Sequence, residues 1–176
     1  CLDLSPDLTL RSHEAGLPTV RADMRQLPFR DWAFDAVTML FSSFGYFESD
    51  DDHQATLSDI ARVLTPGGAV FLDLMDRDTV RDHLVPQGVD THGEMMIEVE
   101  RSMTDDLRRV EKSIRILRPD GPVRTWHESV RLFTGDEIKT LAQGAGLTIA
   151  GVWGDYDGHP HVGGQTRRLV LLRKPR

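Results

Sequence analysis

Asp35-Ala-Val-Thr-Met-Leu-Phe41, a helical pattern opening at Ser49, and Thr65-Pro-Gly-Gly-Ala-Val-Phe-Leu-Asp-Leu74 together decide the fold class of this chain. The first run is mostly apolar and of strand length, as expected of a strand covered on both faces. Ser49 is an N-cap with Asp52 three residues on, and Leu57, Ile60, Ala61 and Leu64 recur at the spacing of one apolar helix face. Thr65-Pro66-Gly67-Gly68 ends that helix, and Ala69 to Leu74 is a second apolar strand. Strand, helix, strand at this spacing predicts parallel pairing with a right-handed crossover.

The same alternation extends upstream. Cys1 to Leu4 reads as a strand end, with Cys1 an interior strand residue, and Ser5-Pro6-Asp7 as a helix start. Gly16 and Pro18 stop that helix, and Thr19 to Ala22 is a brief strand. Downstream the period changes. Met95 to Met103, Val110 to Leu117 and Arg124 to Phe133 alternate with period two, and Pro119-Asp-Gly-Pro122 is a turn between the last two. Thr134-Gly-Asp-Glu137 is a capping box, followed by a helix with Ile138, Leu141, Ala142 and Ala145 on one face. Leu147 to Trp153 and Leu169 to Arg173 close the chain as strands. The expectation is an α/β, Rossmann-like, doubly wound and mostly parallel sheet with a C-terminal antiparallel hairpin. Residues 1–176 form one domain in this reading, and 95–133 an inserted antiparallel β lid or dimer element, since exposed strand edges can pair across a homodimer.

Composition narrows the function. The chain has 176 residues and one cysteine, which excludes a disulfide framework and a thiolate-rich zinc site. A formal net charge of -7 argues against a nucleic-acid partner, which calls for clustered Lys and Arg. The apolar runs fall short of the roughly 20 residues needed to cross a bilayer, so a soluble, cytoplasmic protein is expected.

In an open parallel sheet, ligands bind beyond the carboxyl ends of the strands. Asp3, Asp23, Phe41-Ser42-Ser43 and Asp73 to Asp76 follow the four predicted strands. A carboxylate there can accept hydrogen bonds from both hydroxyls of a ribose, or from the exocyclic amine of a purine; each is equally an ordinary loop Asp.

The order of several short motifs bears on that choice. Leu2-Asp3-Leu4-Ser5, Ala22-Asp23-Met24-Arg25-Gln26-Leu27-Pro28-Phe29, Phe34-Asp35-Ala36-Val37, Phe44-Gly45-Tyr46-Phe47 and Arg62-Val63-Leu64-Thr65-Pro66-Gly67-Gly68 together resemble class I S-adenosylmethionine-dependent methyltransferases. The resemblance extends to Phe133-Thr134, to Ala145-Gly146-Leu147 and to the final Arg168-Leu169-Val170-Leu171 strand. It implies S-adenosylmethionine as cofactor, with Asp3 on the ribose hydroxyls and Leu4 on the adenine face. Asp23 and Met24 would meet the adenine edge, and Phe41 would flank the methionine part and the reacting methyl group. The family's glycine-rich loop after its first strand has no counterpart here and is expected upstream of Cys1, so the 176 residues alone are expected to bind S-adenosylmethionine poorly.

The reaction this implies is methyl transfer to a small-molecule acceptor. No catalytic residue is assigned; the candidates for a base are His53, Tyr46, His127 and His159, of which His53, in the first turn of an acidic helix, is expected to face solvent. One of Trp126 and His127 should face the core, since they alternate on a strand. Phe41 to Phe47 holds four aromatics that either wall an acceptor pocket or pack on the following helix. His159-Pro-His161 lacks a third partner and is not taken as a metal site. Two other readings stay open: a nicotinamide-dependent Rossmann oxidoreductase, and a non-catalytic methyltransferase-like partner subunit.

Overall fold

A computed structural model describes Cys1 to Arg176. Two short parallel strands, β1 (Leu2–Asp3) and β2 (Val20–Arg21), flank α1 (Pro6–Glu14) and form a small sheet of their own. Ser5 caps α1 by accepting a hydrogen bond from the Leu8 N–H, and Pro6 supplies a preset backbone angle at the first turn. Cys1 is exposed and lies just outside β1 rather than inside a strand.

The main sheet has the order β3 (Phe34–Met39), β4 (Leu64–Met75), β10 (Arg167–Arg173), β9 (Thr148–Trp153). Only β3 and β4 run parallel; β10 is antiparallel to both β4 and β9. The sheet is therefore mixed where the sequence led us to expect a mostly parallel one. The reason is that β10 returns between β4 and β9, so two of the sheet's three pairings are antiparallel. The Pro66-Gly67-Gly68 segment lies inside β4, looped out where the β3 register slips between Phe34 and Ala36. A Cβ on Gly68 would stand 2.9 Å from the Thr65 carbonyl oxygen, so only glycine fits there.

Two helices cover this sheet. On α2 (Asp50–Val63), Leu57, Ile60 and Ala61 are buried as the periodicity predicts, and on α4 (Gly135–Gly144) Ile138 and Ala142 are buried. They meet Val70, Leu72 and Leu74 of β4, with Val170 and Leu172 of β10, in one apolar core. The Thr134–Glu137 capping box is formed in both directions. Lys174 Nζ closes the other end of α2, donating to the Ala61 and Leu64 carbonyls at 2.7 and 2.8 Å.

After β4, α3 (Arg77–His83) leads into an antiparallel meander of β5 (Gln87–His92), β6 (Met95–Met103), β7 (Arg109–Leu117) and β8 (Arg124–Arg131). The meander begins before Met95, because β5 pairs with β6 along its whole length. Val110, Val130 and Leu132 make its small core with Val80 and Leu84 around α3. Arg131, almost fully buried, ties the meander to the helices: its Nη2 donates to Glu137 Oε1 at 2.6 Å and its Nε to Asp50 Oδ1 at 3.3 Å. Burial pushes both carboxyls up, but the arginine partners outweigh it and hold both low. No helix is long and apolar enough to cross a membrane.

Candidate active site

The polar residues concentrate at the carboxyl ends of β3 and β4. Buried Asp73, near the end of β4, organises the first group. Its Oδ2 accepts from the Phe41 N–H at 2.8 Å, the Tyr156 hydroxyl at 2.8 Å and Arg167 Nη2 at 3.0 Å. Arg167 Nε also stands 3.0 Å from Oδ1, at an angle outside hydrogen-bonding geometry. The Asp73 carbonyl accepts from the Ser42 N–H at 2.9 Å. These bonds hold Phe41 and Ser42 at φ of 54° and 61°, two consecutive left-handed residues that are not glycine. Each such residue costs about 1–2 kcal/mol, and strain of this kind is kept where a surrounding network fixes it.

The turn separates the four aromatics of 41–47 into two pairs. Phe44 is fully buried in the core and Phe47 lies edge-on to the His53 ring; Phe41 is 75% exposed and Tyr46 about half exposed. Gly45 permits this because the turn passes so close to β8 that a Cβ would meet the Arg131 carbonyl at 2.7 Å. Tyr46 has its phenol pushed above the usual value by burial and by Glu128, which keeps it a hydrogen-bond donor near neutrality.

A second group lies on the chain just past β4. Asp76 caps α3, its Oδ1 accepting from the Thr79 N–H and hydroxyl, both at 3.0 Å. Its Oδ2 accepts from Arg168 Nη2 at 2.8 Å and lies 3.0 Å from His161 Nε2. Adjacent arginines of β10 thus each take one acid at the end of β4. This pairing depends on the β4–β10 register, Arg167 opposite Met75 and Arg168 opposite Leu74, which sequence alone does not reveal. Position was legible for Asp73 and Asp76, but partnership was not.

The remaining site residues lie as follows. Asp3 closes β1 and accepts the Ser5 N–H at 2.8 Å on Oδ1; Leu4 beside it is 60% exposed. Asp23 sits just past β2 and accepts four hydrogen bonds from Arg25: the backbone N–H at 2.9 Å and three from the guanidinium at 2.7–3.1 Å. Its carboxyl is held low by those bonds. Met24 packs against the core. Arg25 lies 3.6 Å from Asp52 and 5.9 Å above the Phe47 ring, which brings the Asp23 loop beside the 41–47 segment.

His159 is exposed and bound to Asp155 at 2.8 Å, whereas His161 turns to Asp76, so the two do not converge. His127 and Trp126 are both exposed, because this part of the meander has no layer against it; neither faces a core as expected. His53 is fully buried rather than solvent-facing. Its Nδ1 binds the Ser49 carbonyl at 2.7 Å, and its ring lies against Phe44, Phe47 and Phe133.

A family model described as a methyltransferase domain matches residues 1–72. Over 162 residues the chain is 33% identical to the cypemycin N-terminal methyltransferase of a Streptomyces species, across 88% of this chain and 64% of that protein. By both comparisons the chain is similar to methyltransferases. Among solved structures, the chain is similar to an S-adenosylmethionine-dependent methyltransferase from Clostridium acetobutylicum ATCC 824, at 18% identity and a TM-score of 0.85. The CcbJ methyltransferase of Streptomyces caelestis superposes with a TM-score of 0.85 at 14% identity. Each comparison covers 99% of this chain and 74% of the other, and at these identities it speaks for the fold. The chain spans somewhat less than two thirds of the length of the cypemycin N-terminal methyltransferase.

Proposed function

We propose that this chain carries part of an S-adenosylmethionine-dependent methyltransferase whose acceptor is a small molecule, with an amine as the attacking group. The observation that carries the cofactor half is the trio Asp3, Leu4 and Phe41. A half-buried carboxylate and two large apolar side chains, 60% and 75% exposed, stand at strand ends with no protein cover. Exposed apolar groups beside an oriented acid fit an adenosine, which offers vicinal hydroxyls and a flat ring. When bound, the cofactor supplies an electrophilic methyl group on a sulfonium.

The chain's own residues then have defined tasks. Asp3 accepts from the ribose hydroxyls, with its orientation fixed by the Ser5 N–H. Leu4 covers one adenine face, and Asp23 with Met24 meets the adenine edge. Phe41, held by Asp73, flanks the methionine portion, where an aromatic face also favours a cation. Such a displacement gains most of its rate from positioning and exclusion of water. The antiparallel meander serves as the cover over the acceptor or as a homodimer element, on a doubly wound sheet closed by the β9–β10 hairpin. Among Tyr46, His127 and His159, Tyr46 lies nearest this region in sequence, and its protonated phenol suits orientation of the acceptor rather than proton removal. The amine follows from the relative named as the cypemycin N-terminal methyltransferase. A net charge of -7 supports an acceptor other than nucleic acid, and a cytoplasmic setting suits a single free cysteine.

Calorimetric titration of the protein at its full natural length with S-adenosylhomocysteine and with NAD tests this. Binding of the first alone is expected, weakened at least tenfold by Asp3→Ala. Preferential NAD binding would replace the reading with the oxidoreductase, and binding of neither would favour a non-catalytic subunit.

A further inference from the structure

A cavity of about 360 Å³ lies between α3 and the connection from β9 to β10. Its lining includes Asp76, Asp78, Asp82, His83, His161 and Arg168. Three carboxylates face one guanidinium, and that guanidinium is already committed to Asp76 at 2.8 Å. Asp78 and Asp82 share Arg81 beside the lining, so three carboxylates stand against two guanidiniums and one negative charge is left over. The field inside such a cavity favours a cation, and its volume suits one sugar ring or one amino-acid residue.

His161 gives the cavity a chemical function. Its side chain is only 9% exposed, and Nε2 lies 3.0 Å from Asp76 Oδ2. Burial pushes the Asp76 carboxyl up, but Thr79 and Arg168 outweigh it and keep the group below its usual value, hence anionic. An anionic carboxylate only accepts, so the Nε2 that faces it carries a proton, and Nδ1 is the ring nitrogen left to act as an acceptor.

We propose that this cavity binds the primary ammonium group of the acceptor and that His161 Nδ1 accepts the proton this group must lose, an assignment that rests on the methyl-transfer reading above. An ammonium nitrogen has no lone pair and cannot attack. One N–H bond breaks, its proton passes to Nδ1, and the electron pair stays on nitrogen. The Asp76 carboxylate stabilises the imidazolium that forms. The nitrogen pair then forms the new N–C bond to the methyl group of a methylsulfonium donor, while the S–C pair returns to sulfur as a thioether. His161 releases its proton to water.

Two-dimensional NMR of the labelled protein at its full natural length, with no methyl donor present, tests the site apart from methyl transfer. The probes are D-glucosamine and L-alanyl-L-alanine, standing for a sugar amine and a peptide N-terminus; D-glucose and the N-acetylated forms of both are the controls. The Thr79, Gly163 and Gly164 amides are expected to shift with the ammonium probes alone, and the tighter probe identifies the source. His161→Gln, whose amide still donates to Asp76, is expected to weaken binding roughly tenfold, the worth of a hydrogen bond to a charged group. His92→Gln, at the exposed end of β5 and outside the cavity, should leave it unchanged. Equal shifts with the neutral controls, no shift with either ammonium probe, or unaltered affinity in His161→Gln would overturn the proposal. Failure of S-adenosylhomocysteine to bind the natural-length protein would instead remove the methyl-transfer reading and leave the ammonium site standing.

Discussion

Phe41 donates its backbone N–H to the carboxylate of Asp73 at 2.8 Å, joining the strained end of β3 to the buried end of β4. That carboxylate is shared with Tyr156 and Arg167, so its loss would take one partner from three donors, the mostly buried Arg167 guanidinium among them. Asp73→Ala is expected to destabilise the fold by about 3–5 kcal/mol, the usual cost of breaking a buried ion pair from one side. The double variant Asp73→Leu/Arg167→Leu should lose less than Asp73→Ala alone, because no unpaired guanidinium remains. Urea denaturation of the two variants measures this directly.

Phe41 is held where a side chain is disfavoured, and its ring is mostly solvent-exposed, so its conformation serves something other than core packing. Phe41→Gly removes about 1–2 kcal/mol of left-handed strain while adding roughly 0.5–1 kcal/mol of unfolded-state freedom. Thermal unfolding should therefore show stability unchanged or slightly raised. Affinity of the natural-length protein for S-adenosylhomocysteine should fall in the same variant, a separation a purely structural residue would not produce.

Asp23 is saturated by Arg25, which occupies both carboxylate oxygens. A purine amino group can reach this acid only if the guanidinium moves aside, and half-exposed Arg25 has room to do so. Arg25→Ala is expected to tighten adenosine-group binding several-fold, measured by titration with S-adenosylhomocysteine. Weaker binding in that variant would mean that Arg25 itself contacts the ligand.

Elements fixed by local chemistry were legible in the sequence. Ser5, Ser49 and Thr134 announced their helices because a cap acts within three residues, and each accepts the expected N–H. What escaped depended on tertiary register. Gln87 to His92 carries no apolar alternation of its own and becomes a strand only by pairing with β6. His53 sits beside three aspartates in sequence, yet the aromatic turn before α2 folds back over it. In the site, the acids at strand ends could be read from topology, whereas the selection of Arg167 and Arg168 as their partners required the β4–β10 pairing, and that of His161 the fold of the connection between β9 and β10.

Buried His53 makes stability depend on pH in a window of its own. Its Nδ1 donates to the Ser49 carbonyl, leaving Nε2 without a partner among aromatic rings. Burial lowers its pKa from 6.5, and Arg131 and Arg109 add to that, against the opposing pull of the Ser49 carbonyl and Asp50. The folded chain thus keeps the ring neutral while the unfolded chain protonates first. The stabilisation is complete above pH 6.5 and is lost as pH falls toward the folded value, at no more than about 1.4 kcal/mol per pH unit. Asp50, Asp76 and Glu137 are also held low, but their unfolded values of 3.8, 3.8 and 4.5 place their contribution at more acid pH. His53→Phe should flatten the stability profile between about pH 6.5 and 5 while leaving the steeper acid loss in place. Chemical denaturation across that range is the measurement. An unchanged slope in the variant would show that His53 is not the group protonated on unfolding.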